Sequence, residues 1–217
     1  HSMRERSLAE YRAIANILDM EARRIEANAM GYLRSPERRE LKHPVRYTAV
    51  DVEVAGLFSG PTPDLYSITY LRIDGGLVMD CHTSAIKGVA VPDYLPPANT
   101  SQSLSFVIAE FRKAALNAPL VVFLPEYGQP SIDQAQSRSG MEFPIEYLCV
   151  YGLLTEAFGQ LPTKQLHKLA RRFGVPWVPQ MENYQDAYVV ARLFEVALDR
   201  LATVDPGRYA QLAARLQ

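Results

Sequence analysis

A short apolar run between two prolines, at residues 120–124, constrains the fold of this chain more than any other feature. Its sequence, LVVFL, has no polar residue to face water, and Pro119 and Pro125 limit it to the length of a strand. A strand that is apolar on both faces belongs inside an open sheet whose two sides are covered by helices. The run therefore predicts an α/β domain.

The patterns around this run supply the rest of the sheet and its helices. Three segments are rich in β-forming residues, at 47–54, 65–73 and 77–84. Apolar residues recur at helical spacing in four further segments, at 103–116, 144–158, 163–173 and 184–202. A last short helix is expected from Asp205 onward. The order of three strands, a helix, a strand and then helices predicts a mixed sheet flanked by helices.

An amphipathic helical arm precedes the sheet. Apolar residues recur at three- and four-residue steps from Leu8 to Leu33, and a polar link follows. The link is either a solvated connector or a contact to phosphate. The apolar stripe of the arm either packs on its own domain or contacts a protein partner or a second copy of the chain. With residues 1–3 interpreted as a cloning remnant, we divide the chain into residues 1–45 and a domain over residues 46–217.

Charge and hydropathy exclude some classes of protein. Lys and Arg number 23 against 24 Asp and Glu, a net charge of −1, so the chain lacks the basic excess of a general duplex binder, although a local groove is not excluded. No apolar run approaches the roughly 18 to 20 residues that cross a bilayer. Cys81 and Cys149 lie far apart without metal-ligand spacing, which predicts buried thiols. We therefore expect a cytoplasmic protein that has no membrane partner.

The first chemical signal is a pair of acids in residues 47–57, YTAVDVEVAGL. Asp51 and Glu53 are two residues apart, so on a strand their carboxylates lie on the same face. Hard oxygen ligands at this spacing suit Mg²⁺ or Mn²⁺. Two acids on an exposed strand face are, however, a common arrangement without any metal. The pair alone leaves both interpretations open.

The surroundings of this pair resemble the DnaQ-like (DEDD) 3'-5' exonucleases. A strand with Asp-x-Glu, then Gly-Leu and a second strand ending in Asp-Gly-Gly, is similar to the first motif of that family. The segment QLHKLARRFGV at 165–175, a loop, and Asp186 at the start of a helix are similar to its third motif. The resemblance covers most of residues 47–202. It implies an RNase H-like fold with an extra N-terminal helix, and an exonuclease-like domain over residues 46–217.

The same resemblance implies a metal site of three carboxylates. In that family the third-motif aspartate joins the Asp-x-Glu pair on the metals, so the expected ligands of Mg²⁺ or Mn²⁺ are Asp51, Glu53 and Asp186. Without the first motif, Asp186 would be interpreted instead as a first-turn carboxylate that interacts favourably with the helix dipole.

Two departures from the family pattern imply that its second and third motifs are degenerate. The family's catalytic histidine falls on Met181, which cannot accept a proton. The branch with a tyrosine would place its phenol at Glu182, and Tyr184 is out of register. The second motif aligns with VVFLPEYG at 121–128, where Gly128 replaces the aspartate. Losing a general base typically costs about 10²- to 10⁴-fold in rate, and a missing ligand weakens support for a second cation.

The predicted function is therefore a 3'-5' exonuclease relative that is impaired or inactive. The alternative is a non-catalytic nucleic-acid-binding or protein-interaction module on the same fold. The expected partner is the 3' end of a single-stranded nucleic acid. To bind it, this chain would need basic and aromatic side chains along a groove, and the candidates are Arg46, Tyr127, Lys164, Lys168 and Tyr184. Four residues lie near the missing aspartate and histidine in the sequence and could replace them, although none is in the family's register: Glu126, Asp133, His167 and Glu182.

Overall fold

The computed structural model describes residues 45–56, 62–91, 101–177 and 184–217. Six strands in this part of the chain form one mixed sheet in the order β4-β3-β2-β1-β5-β6. Their bounds are Arg46–Ala55 (β1), Asp64–Asp74 (β2), Leu77–Ile86 (β3), Ser101–Gln102 (β4), Leu120–Val122 (β5) and Tyr147–Cys149 (β6). β1 is antiparallel to β2 and parallel to β5, so the strand direction changes at β1.

Helices cover both sides of the sheet. Their bounds are Leu104–Asn117 (α1), Pro125–Ser139 (α2), Val150–Phe158 (α3), Leu166–Arg172 (α4), Gln185–Val204 (α5) and Pro206–Arg215 (α6). α1 and α2 share one apolar cluster with the even-numbered side chains of β1, including Val50. The other four helices share a second cluster with its odd-numbered side chains, including Tyr47. The expected α/β fold, a mixed sheet flanked by helices, is confirmed.

Polar contacts inside the second cluster hold β1 against α5. The Tyr47 side chain is fully buried, and its hydroxyl donates a hydrogen bond to Glu195 Oε1 at 3.0 Å. Glu195 is itself only 4% exposed and forms an ion pair with Arg192 one turn earlier. Because a buried carboxylate is costly without partners, these contacts fix how β1 and α5 lie against each other.

The apolar run that predicted the sheet contains the interior strand β5, and its three paired residues, Leu120, Val121 and Val122, are all buried. Two segments differ from expectation. Residues 125–139 form helix α2, where no helix was predicted. Pro125, which was interpreted only as the limit of the preceding strand, occupies the first turn of this helix, a position that proline favours. The predicted helix 144–158 begins instead as β6, because Tyr147–Cys149 pairs in parallel with β5, and the helix starts only at Val150.

Several predictions concern residues outside this part of the chain. Residues 1–44, which contain the arm and most of the polar link, lie outside the described residues, and so do Met181 and Glu182. The division at residue 45 therefore stays a prediction. Cys81 and Cys149 form no disulfide, and both are partly rather than fully buried. None of the described helices combines the length and the apolar character needed to span a bilayer.

Candidate functional site

The strand ends of β1 and β5 create a crevice at the point where strand direction changes. β5 pairs with β1 only from Thr48 to Val50, so β1 continues beyond it without a neighbour on that side. Asp51 and Glu53 lie on this continuation, paired with Thr69 and Ser67 of β2. Ligands of open α/β sheets bind in such crevices outside the carboxyl ends of strands.

Three carboxylates meet in this crevice. One oxygen each of Asp51, Glu53 and Asp186 lies within 4.8 Å of the others, and all three residues are partly buried. Asp186 comes from the first turn of α5, which crosses the same face of the sheet. The pairing of β1 with β2 shifts register between Glu53 and Val54, an irregularity that reorients side chains near functional sites in other proteins. The structure thus brings together the three residues expected as metal ligands.

The cluster is electrostatically unfavourable by itself. Burial raises the pKa of Asp51 well above its usual range, and the negative charges of Glu53 and Asp186 raise it further. Burial also raises the pKa of Asp186, an effect that the nearby His167 opposes. The repulsion acts chiefly on Asp51, the more deeply placed of the two aspartates. A proton or a cation would relieve it.

Two of the three acids, Asp51 and Asp186, line a cleft of about 480 Å³. Its walls are the ends of β1 and β5, the first turns of α2, and the segment that leads into α4. The lining residues are Val50, Asp51, Val52, Val122, Phe123, Leu124, Pro125, Tyr127, Gly128, Gln129, Ile132, Tyr147, Lys164, Gln165, Leu166 and Asp186. This cleft combines a largely apolar interior with two acids and one lysine, so it can hold a ligand that has both a flat apolar part and a charged part.

Gly128 lies in the wall of this cleft, where the resemblance expects an aspartate. A Cβ atom built on Gly128 would be 3.0 Å from Val52 Cβ and 3.2 Å from Val52 Cγ1. These distances are shorter than ordinary van der Waals contact. The backbone of α2 therefore packs directly on β1, and a side chain at this position requires Val52 to move.

The predicted nucleic-acid residues are not all at the cleft. Tyr127 and Lys164 line it, and 65% of Tyr127 is exposed. The Lys164 ammonium lies 5.5 Å from the centre of the Tyr151 ring. Lys168 is exposed on α4 outside the lining, and Tyr184 packs against the core at the start of α5. Arg46 lies at the opposite end of β1, paired with Asp74 at 3.1 Å.

Two lining residues were not anticipated from the sequence. The hydroxyl of Tyr147 is buried and has no hydrogen-bond partner among the described residues, and burial raises its pKa. Its position was hidden because it lies on β6, where a helix was expected. Gln165 also lines the cleft, and it lies within the segment quoted for the third motif. Of Glu126, Asp133 and His167, the described residues near the missing groups, His167 is the one whose charge acts on Asp186.

Comparison with solved structures finds the same architecture in nucleases. The nuclease domain of 3'hExo, a DEDDh family member bound to rAMP, matches with a TM-score of 0.54 at 9% identity, over 73% of this chain and 94% of that domain. A 3'-exonuclease that recognises the 3' end of the histone mRNA stem-loop matches with a TM-score of 0.56 at 7% identity, over 74% of this chain and 67% of that one. The chain shares the α/β fold of these nuclease domains.

Exonuclease I of E. coli, in complex with the oligonucleotide 5cy-dA13, also has this fold. Its TM-score is 0.52 at 11% identity, over 77% of this chain and 42% of the larger enzyme. No protein-family model matches the sequence, and no curated protein matches it. At identities this low the likeness establishes the fold, and the chemistry must be argued from the site itself.

Proposed function

We propose that this chain is a DnaQ-like 3'-5' exonuclease family protein that binds a divalent cation and the 3' end of a single-stranded nucleic acid, and that its hydrolytic activity is weak or lost. The observation that carries the proposal is the convergence of Asp51, Glu53 and Asp186 within 4.8 Å at the crevice between β1 and β5. Cys81 and Cys149 form no disulfide, which is consistent with the cytoplasmic setting that we include in the proposal.

The donor set fits a hard divalent cation. Oxygen ligands of Mg²⁺ or Ca²⁺ lie about 2.0 to 2.6 Å from the ion, so two ligands of one ion are at most about 4 to 5 Å apart. The separation of the three carboxylate oxygens falls within this range. The described residues place no histidine or cysteine in this cluster, and carboxylate-only sites favour Mg²⁺ or Mn²⁺ over softer metals.

Several residues of the cleft can be given a role in binding the 3' end of a nucleic acid. Asp51, Glu53 and Asp186 would hold the cation, which when bound polarises a phosphate oxygen and makes bound water more acidic. Lys164 is placed to neutralise a phosphate, and the exposed ring of Tyr127 offers a face for a base. The apolar wall formed by Val122 and Ile132 excludes water from the base.

Two positions argue for weak hydrolysis. Gly128 contributes no carboxylate, so a second cation would have fewer ligands, and the close approach of Val52 opposes a larger residue there. Met181, at the position of the family's histidine, cannot accept a proton from the attacking water. Loss of a general base costs about 10²- to 10⁴-fold. The three carboxylates that would hold a first cation include neither position, so we expect binding to exceed activity.

Calorimetric titration with Mn²⁺ and a 3'-labelled oligonucleotide assay test the two halves of this proposal. We expect the wild type to bind one ion, the Asp186→Asn variant to lose that binding, and both proteins to degrade single-stranded DNA or RNA slowly or not at all. Absence of Mn²⁺ binding to the wild type would refute the metal site. Rapid digestion that Asp51→Asn abolishes would show that another side chain, with His167 the first to test, acts as the base.

A further inference from the structure

A second cleft lies beside the carboxylate cleft. Its volume is about 470 Å³, and it is lined by His167, Ala170, Arg171, Val175 and Trp177. The carboxylate cleft is lined by Lys164, Gln165 and Leu166. Consecutive residues of one segment therefore line first one cleft and then the other, so both clefts adjoin the start of α4.

The shape of the second cleft follows from α4 and the turn after it. His167, Ala170 and Arg171 are three and four residues apart, so they lie on one face of the helix. Gly174, with φ of 68°, reverses the chain, and the Val175 amide then donates to the Ala170 carbonyl at 2.8 Å. Ala170 and Val175 are buried and form the floor. Trp177, two residues further on, is 49% exposed.

The charge of this region differs from that of the whole chain. Although acids and bases are nearly balanced overall, no acid occurs between Glu156 and Glu182, whereas four basic residues do: Lys164, Lys168, Arg171 and Arg172. Within the described residues, none of the four forms an ion pair. An unneutralised basic strip beside a half-exposed tryptophan favours an anionic ligand with aromatic groups.

We propose that the second cleft binds an upstream nucleotide of a single-stranded nucleic acid whose 3' end lies at the carboxylates. Trp177 stacks on the base, and the guanidinium of Arg171 binds the phosphate. His167 and Arg171 are separated by one helical turn, a rise of about 6 Å along α4, which is close to the separation of adjacent phosphates in an extended strand. The inference rests on the proposed function for the location of the 3' end.

Trp177 is the single tryptophan of the chain, so its fluorescence reports this cleft directly. The full-length protein is titrated, with Mg²⁺ present, with thymidine monophosphate and with oligothymidylates of two, four and eight nucleotides that carry a 3'-terminal phosphorothioate linkage. We expect the octamer to quench the fluorescence and the mononucleotide to bind without quenching. A polyglutamate of equal charge serves as a polyanion control and leaves the fluorescence unchanged.

Variants separate stacking from general attraction. Trp177→Ala lacks the fluorescent reporter, so its binding is measured by calorimetry. The substitution should weaken octamer binding about tenfold, since stacking on an aromatic side chain typically contributes about 1 to 3 kcal/mol per base. Affinity for the mononucleotide should not change. Arg171→Ala should weaken octamer binding and reduce its dependence on salt. Arg172→Ala removes the same charge from the neighbouring position, outside the cleft lining, and is the matched control.

The outcomes distinguish this inference from the proposed function. If the mononucleotide binds but longer strands bind no more tightly and do not quench, the second cleft is not a nucleotide site and the proposed function stands. If strands quench but the mononucleotide does not bind, the carboxylate cleft is not the site of the 3' end. Equal losses for Arg171→Ala and Arg172→Ala, or quenching by polyglutamate, would overturn the inference in favour of diffuse attraction between charges.

Discussion

Asp51 shows how the position of one residue determines its chemistry. The same carboxylate at an exposed strand edge would be an ordinary solvated acid, but at the end of β1 it is partly buried and faces two further acids. Its raised pKa means that the folded protein without metal binds protons more tightly than the unfolded chain does. The cluster therefore lowers stability at neutral pH, a cost that functional sites frequently carry.

Substitution of Asp51 by Asn should stabilise the metal-free protein. A folded-state pKa above the unfolded value means that the unfolding free energy of the wild type rises as the pH falls through the folded pKa toward the unfolded one. The Asn variant lacks this dependence and should be more stable at pH 7.5 by on the order of 1 kcal/mol. Denaturant unfolding in EDTA across pH 4 to 8 measures the difference in unfolding free energy between the variant and the wild type. Asp199→Asn, at an exposed position of α5, is the control. A variant less stable than wild type at pH 7.5 would contradict the argument.

Gly128 should resist replacement as long as Val52 is present. A residue that crowds a packed contact typically costs about 1 to 3 kcal/mol, and the Cβ of Gly128→Asp would lie 3.0 Å from Val52 Cβ. We expect Gly128→Asp alone to be destabilised, and the double variant with Val52→Ala to recover stability and to bind Mn²⁺ more tightly than Val52→Ala alone. Thermal unfolding of the two single variants and the double variant measures their stability, and calorimetry measures their Mn²⁺ affinity. Unchanged Mn²⁺ affinity would show that position 128 does not face the cation.

At the scale of elements, the site depends on how β1 and α5 cross. Asp51 and Asp186 come from these two elements, and no described hydrogen bond joins the two side chains. Their separation is set instead by the packing of Tyr47, Ala191 and Phe194, where the rings of Tyr47 and Phe194 lie 4.8 Å apart. The metal cluster is thus positioned by contacts more than one helical turn away from it.

Tyr47→Phe should loosen this crossing. The change leaves the buried Glu195 with one donor fewer, and an unsatisfied buried polar group costs about 1 to 3 kcal/mol. We expect a loss of that size in the free energy of unfolding, together with weaker Mn²⁺ binding. Tyr127→Phe removes the same hydroxyl from an exposed ring and should leave stability unchanged. Equal stability of Tyr47→Phe and wild type would mean that the Arg192 ion pair suffices for Glu195.

At the scale of the whole molecule, metal binding should be linked to folding. The three carboxylates come from a strand and a helix that are distant in sequence, so the unfolded chain lacks the assembled cluster. A ligand that binds only the folded state stabilises it in proportion to the logarithm of its concentration. Mn²⁺ would also hold Asp51 and Asp186 ionised, and the destabilisation of the metal-free protein at neutral pH would disappear.

Thermal unfolding with and without Mn²⁺ tests this linkage. At a concentration one hundred times the dissociation constant we expect about 2.7 kcal/mol of stabilisation, a shift of roughly 5 to 10 °C for a chain of this size. Asp186→Asn should remove most of the shift. A shift of the same size in that variant would mean that the ion binds elsewhere on the chain.

The sequence by itself determined the features that depend on local geometry. Residues two apart on a strand share a face, so Asp51 and Glu53 form a pair whatever the rest of the chain does. The run at 120–124 has no polar face, so its strand must be covered on both sides. The motifs around these segments predicted the exonuclease fold and named Asp186 as the third acid. Helix α2 escaped prediction because its sequence, PEYGQPSIDQAQSRS, presents few apolar residues and two prolines.

Tertiary structure decided the features that depend on contacts between segments distant in sequence. Asp186 reaches Asp51 because α5 crosses the sheet, and no spacing along the chain specifies that crossing. Tyr147 reaches the cleft because pairing with β5 overrides the helical spacing of its segment. The contact between Gly128 and Val52 exists because α2 lies directly on β1. Local rules act over a few residues, whereas these contacts arise from the packing of two apolar clusters on opposite faces of one sheet.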